Sequence, residues 1–166
     1  LIKDNILGSQ NIGIALDEGD YNIVDNNFVN VSCSSCKGIH VNKGHYNNIT
    51  NNSVESATGN AINILRANNN TLINNSATGT GTGGTAIKIQ SGSNETILIN
   101  NTAKSTSKNG IWIQKSVNVL LVDNNGTSGT SNGINVQNSA EINLTKNYGR
   151  STSSFGIQIQ GGTYGN

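Results

Sequence analysis

Three sets of residues carry side chains able to do chemistry. The run LDEGDY places Asp17, Glu18 and Asp20 close together, with His40, Lys43 and His45 one repeat later. Clustered carboxylates can hold Ca²⁺, and two that face one bond, with a base nearby, can cleave a glycosidic link. Asp17, Glu18, Asp20 and His40 are therefore the catalytic candidates. Against them, Asp and Gly in such a run are ordinary turn residues, and no other carboxylate falls on the same strand face. The second set is Cys33 and Cys36 in VSCSSCKG. A local disulfide, two free thiols and a metal site recruiting His40 and His45 all compete, and the disulfide is preferred for an extracellular chain. Structural zinc usually takes four ligands, and the two histidines fall on different elements, so no metal is assigned. The third set is His40, Asn63, Lys88, Gln90, Trp112 and Gln114. Amides suit hydroxyl groups and an indole can stack on a sugar ring, so these are glycan-binding candidates, against the plainer reading of a solvated sheet face.

What must position these side chains is an internal repeat, which is to be sought before secondary structure. A small residue followed by alternating apolar residues opens at Gly13, Gly38, Ala61, Ala86, Gly110, Gly133 and Gly156, every 23 to 25 residues. This is strand A, and its alternation puts Ile14/Leu16, Ile39/Val41, Ile62/Ile64, Ile87/Ile89, Ile111/Ile113, Ile134/Val136 and Ile157/Ile159 on one face. Each copy then carries an Asn, read as Asn5, Asn27, Asn52, Asn75, Asn101, Asn125 and Asn147. Strand B precedes it with an apolar residue (Ile2, Val24, Ile49, Leu72, Leu98, Val122, Leu144). Strand C follows with an inward position that loses bulk (Leu7, Val29, Val54, Ala77, Ala103, Thr127, Gly149). Polar turns separate the three strands, and no helical periodicity competes.

A repeat of this length with three strands resembles the right-handed parallel β-helix of the pectate-lyase-like superfamily, and the recurrent Asn resembles its asparagine ladder. The fold class expected is all-β: a single-stranded parallel β-helix solenoid of about seven coils, residues 1–166 forming one domain. Coils stacked ~4.8 Å apart bring equivalent residues into columns. The resemblance further implies that the outer strand A face is where enzymes of this kind carry a substrate cleft, and that Ca²⁺ belongs only to a lyase. Fold does not fix activity, since many functions share such a scaffold.

On the outside of strand B, Ile73, Ile97, Ile99 and Leu121 are expected to form an apolar patch and hence a partner surface. N-x-Ser/Thr sequons are dense. Asn48, Asn69, Asn94 and Asn143 are the outward glycosylation candidates, and Asn125, taken as a ladder residue, is expected to be buried. The net charge of +1 gives no basic stripe for nucleic acid, and no apolar run approaches the ~20 residues of a membrane span. The two ends continue the repeat in phase, TYGN into LIKDN, so the chain reads as a segment of a longer solenoid or a unit stacking head to tail. The leading functional expectation is an extracellular or cell-surface structural and adhesive module, a glycoprotein or filament component touching polysaccharide and needing no cofactor. The alternative is a fragment of a polysaccharide lyase, epimerase or glycan depolymerase.

Overall fold

The computed structural model of the chain describes residues 1–33 and 35–161. Twenty-one short strands form three seven-stranded sheets, and within each sheet every neighbour is parallel and comes from the next coil. The register is the repeat itself. Ile87 pairs with Ile62 on one side and Ile111 on the other, Leu72 with Ile49 and Leu98, and Ala77 with Val54 and Ala103. The sequence-level fold is thus the fold found. The continuation TYGN lies outside the described residues.

The core is a column of aliphatic side chains: the Ile and Val pairs of strand A, Val24, Ile49, Leu72, Leu98 and Leu121 of strand B, and Val29, Val54, Ala77 and Ala103 of strand C. Alternation in a strand sends every second residue inward, so three strands per coil fill the lumen without a helix. Small residues open strand A because strand C crowds them: a Cβ on Gly38 would strike Val54 Cγ1 and the Ala61 carbonyl.

Sharp corners need left-handed backbone, and here non-glycine residues supply it. Three columns have φ between 49° and 58°: Glu18 to Asn138 after strand A, Tyr21 to Glu141 before strand B, and Asp4 to Lys146 before the ladder asparagine. Asn tolerates this conformation better than most residues, which accounts for Asn26, Asn51, Asn74 and Asn100 as the first member of each Asn-Asn pair. The second member is the ladder. Asn52 donates both its backbone N–H and Nδ2 to Asn75 Oδ1, each at 3.0 Å, and Nδ2 also reaches the Val24 carbonyl at 2.9 Å. The same pattern runs through Asn5, Asn27, Asn75 and Asn101.

In the sixth coil the ladder residue is Asn124 and not Asn125. Asn101 donates to Asn124 Oδ1 at 2.9 Å, and Asn124 to Asn147 Oδ1 at 2.9 Å. The expected frame was one residue late, because Asn124 and Asn125 are both asparagine and Leu121 and Val122 are both apolar. Leu121 pairs with Leu98 and faces the core, Val122 faces out, and the inward strand C residue is Gly126 instead of Thr127.

Candidate functional site

The strand A face does not lie as open as its alternation suggests. Asn63 is 0% and His40 6% exposed, covered by the corner between strands C and A. Asn63 Oδ1 accepts from Asn60 Nδ2 at 3.1 Å and from Gln90 Nε2 at 2.9 Å, while Asn63 Nδ2 lies 3.0 Å from His40 Nδ1. The same Nδ1 lies 3.3 Å from the Asn63 carbonyl, so Asn63 meets the ring with both its side chain and its backbone. Burial, reinforced by the nearby Lys37 charge, holds the His40 pKa below the ordinary histidine value. His40 and Asn63 therefore knit the scaffold, leaving Lys88, Gln90, Trp112 and Gln114 half-buried along the face.

Lys88 Nζ stands 4.1 Å from the Trp112 ring centroid, and desolvation lowers its pKa. That cation–π contact is worth about 0.5–2 kcal/mol. One coil on, Trp112 pairs with Asn135 in the strand register. Trp112 Nε1 and Asn135 Oδ1 are both buried without a hydrogen-bond partner. Beside them, Ser35, Lys37, Thr58, Gly59, Asn60, Gly83 and Lys88 line an open concavity of about 420 Å³.

The acidic corner is engaged in holding backbone. Asp20 Oδ1 accepts the His45 N–H at 2.6 Å, His45 Nδ1 accepts the Asn68 N–H at 3.0 Å, and Asn68 Oδ1 accepts the Asn94 N–H at 2.9 Å. Glu18 pairs with Lys43 at 2.7 Å. Asp17 is exposed at the end of its strand and acts on His40 only through space. The four catalytic candidates are thus distributed over a strand end, a corner and a buried network, and are not gathered around one point. The tyrosines of that corner, Tyr21 and Tyr46, stack with centroids 5.0 Å apart.

On strand B, Ile73, Ile97 and Ile99 are half-buried and outward, as read from the sequence. Leu121 is not among them: it is 0% exposed, and Leu120 and Val122 take the outward places opposite Ile97 and Ile99. Of the sequon residues, Asn48 and Asn143 are exposed. Asn69 sits at a left-handed corner, and Asn94 Oδ1 is taken by the Val117 N–H at 2.8 Å. Asn125, expected to be buried, is exposed. Cys33 and Cys36 form a disulfide with Cα atoms 5.3 Å apart at the corner between strands C and A.

Residues 1–101 match the family described as periplasmic copper-binding protein (NosD). Neither the curated proteins nor the solved structures gave a match. The match corrects one expectation: a chain thought to need no cofactor, or Ca²⁺ at most, falls in a family described as copper-binding. The residues present do not fit a metal site of three or more such ligands, because among the described residues no three His, Cys, Asp or Glu side chains come together. No helix among them is long and apolar enough to cross a membrane. With the family match spanning well over half of the 166 residues, and three parallel sheets in register along the whole described length, the chain belongs to the NosD family and is an extracytoplasmic β-helix domain.

Proposed function

We propose that this domain is a structural and adhesive scaffold outside the cytoplasm that binds saccharide on its strand A face, through Lys88, Gln90, Trp112 and Gln114. The observation carrying this reading is the pair of unpartnered atoms at its centre. An indole N–H needs an acceptor, and the neighbouring Asn135 Oδ1 needs a donor. A hydroxyl group is both at once. Buried polar atoms left without partners cost about 1–3 kcal/mol each, so a polyol hydroxyl that reaches them once the Trp112 ring swings aside gains from the repair. The indole face and the aliphatic stem of Lys88 supply apolar surface for a sugar ring, and the side-chain amides of Gln90 and Gln114 extend the strip along the axis.

Trp112 is the one tryptophan, so its fluorescence reports on this face alone. Titration with neutral and acidic oligosaccharides should shift or quench the emission for at least one class. Trp112→Ala should then weaken that binding about tenfold or more, as measured by calorimetry, since an aromatic contact contributes about 0.5–1.5 kcal/mol and the N–H bond adds to it. Gln114→Ala provides a milder variant that leaves the ring in place. An emission spectrum unmoved by every sugar in the panel would sink the proposal.

A further inference from the structure

The outer face of strand C changes character along the axis. One register column runs Glu55, Thr78, Lys104, Thr127 and Arg150 from the third coil to the seventh. The column beside it ends in Thr102, Asn125 and Tyr148. The last three coils therefore present two cations on this face and no carboxylate. Lys104 and Arg150 are exposed, and neither belongs to an ion pair among the described residues.

The two cations share one concavity of about 450 Å³, with Thr106, Thr127 and Thr152 on its walls. That volume falls within the range of small-ligand sites. Ser105 and Ser128 are its buried floor, and their hydroxyls are already engaged with backbone, each donating to a carbonyl at 2.7 Å. Thr106 Oγ1 donates to the Thr80 carbonyl at 2.8 Å, so it meets a ligand as an acceptor. Thr127 is half-buried between the cations, and its hydroxyl can donate or accept.

We propose that this concavity binds an acidic sugar unit, one bearing a carboxylate or sulfate, of a glycan outside the cytoplasm. Two like charges around one concavity repel, and an anion between them replaces that repulsion with attraction. The planar guanidinium of Arg150 matches an oxyanion with two parallel N–H bonds, and Lys104 adds a point charge from the other end. The threonine hydroxyls suit the ring hydroxyls of a sugar. No aliphatic or aromatic side chain lines the concavity, so an acyl chain or an apolar peptide finds no surface there. Tyr148 is 56% exposed on the same strand face, two residues before Arg150, and offers its ring to the adjoining sugar. The site lies on a different sheet from Trp112, and the proposal stands whether or not the strand A face binds saccharide.

The test is calorimetric titration of the whole chain with three forms of one polymer: neutral dextran, carboxymethyl dextran and dextran sulfate. Circular dichroism is recorded on every variant. Wild type should bind at least one anionic form, with affinity falling as salt rises, and the form preferred identifies the anion. Lys104→Gln/Arg150→Gln should weaken that binding about tenfold or more. Arg150→Lys keeps the charge but not the fork, and should still lose about threefold or more. Lys115→Gln/Lys146→Gln removes two exposed cations that do not line the concavity, and should stay within about twofold of wild type. Equal losses in the two double variants would reduce the binding to general charge attraction and overturn the site. So would no binding of either anionic dextran, or anionic binding that survives the loss of Lys104 and Arg150. The strand A reading is followed separately by Trp112 emission, so either proposal can fail alone.

Discussion

Asn124 and Asn125 are neighbours of identical chemistry with opposite environments. Asn124 is buried, and its Oδ1 accepts both N–H groups that Asn101 offers, at 2.9 Å each, while Asn125 is exposed. Replacing Asn124 with Ala strands the Asn101 donors inside the coil and should cost about 3 kcal/mol in chemical denaturation. Asn125→Ala should change stability by no more than about 0.5 kcal/mol. Equal costs would mean that the sixth coil is out of frame. Composition could not separate the two, since Leu121-Val122 and Asn124-Asn125 fit the repeat in either of two registers. What does separate them is the interval from the opening of strand A, which from Gly110 to Asn124 matches those from Gly13 to Asn27 and from Gly38 to Asn52. The sequence showed that Lys88, Gln90, Trp112 and Gln114 share a face. The burial of His40 and Asn63 was not legible, because the residues that cover them come from corners with no periodic pattern of their own.

At the scale of the strand, the inward position of strand C falls in bulk from Val54 to Ala77, Ala103 and Gly126. A Cβ on Gly126 would sit 2.6 Å from the Gly133 carbonyl and 2.7 Å from Ile134 Cγ1. Gly126→Val, which restores the residue type of the second and third coils, should destabilise the domain by about 2–3 kcal/mol or more, read as a lower denaturation midpoint. An unchanged midpoint would show that the sheets can part there. Two further polar columns emerge at this scale. Ser105 Oγ and Ser128 Oγ each donate to a carbonyl across the corner between strands C and A, at 2.7 Å, and accept N–H groups from Lys108 and Ser131. Asn47 donates to Asn70 Oδ1 as a second short ladder before strand B, which ends where Thr96 replaces the amide. The recurrence of Ser105, Ser128 and Ser151 at one interval before Gly110, Gly133 and Gly156 was a usable signal for the first. The second spans too few coils to register as a period.

The whole molecule is a stack in which each coil is held by the coils on either side, so local identity is cheap to change and the axial register is not. Its outer strand B sheet carries Ile73, Ile97, Ile99, Leu120 and Val122 as one strip bordered by Thr71, Asn143 and Thr145. Such a strip would pack against the same strip of a second copy as an isologous contact, with Glu95 at its margin beside Ile97 and Leu120. Association through five half-buried side chains should be weak and concentration-dependent in sedimentation, and Ile99→Lys should abolish it. Wild type that stays monomeric at the highest concentrations would remove this surface from consideration. Coil length, meanwhile, varies almost entirely at one corner. The stretch from Gly38 to Asn52 is as long as those from Ala61 to Asn75 and from Gly133 to Asn147, whereas the stretches from Asn27 to Gly38 and from Asn75 to Ala86 are longer than that from Asn52 to Ala61. The surplus falls in SCSSCK and TGTGGT, beside the half-buried lysine and the cysteine pair. That corner is an insertion port: loops can be lengthened or exchanged there, and new recognition grafted onto the face, while the amide ladder on the far side of the coil keeps its count.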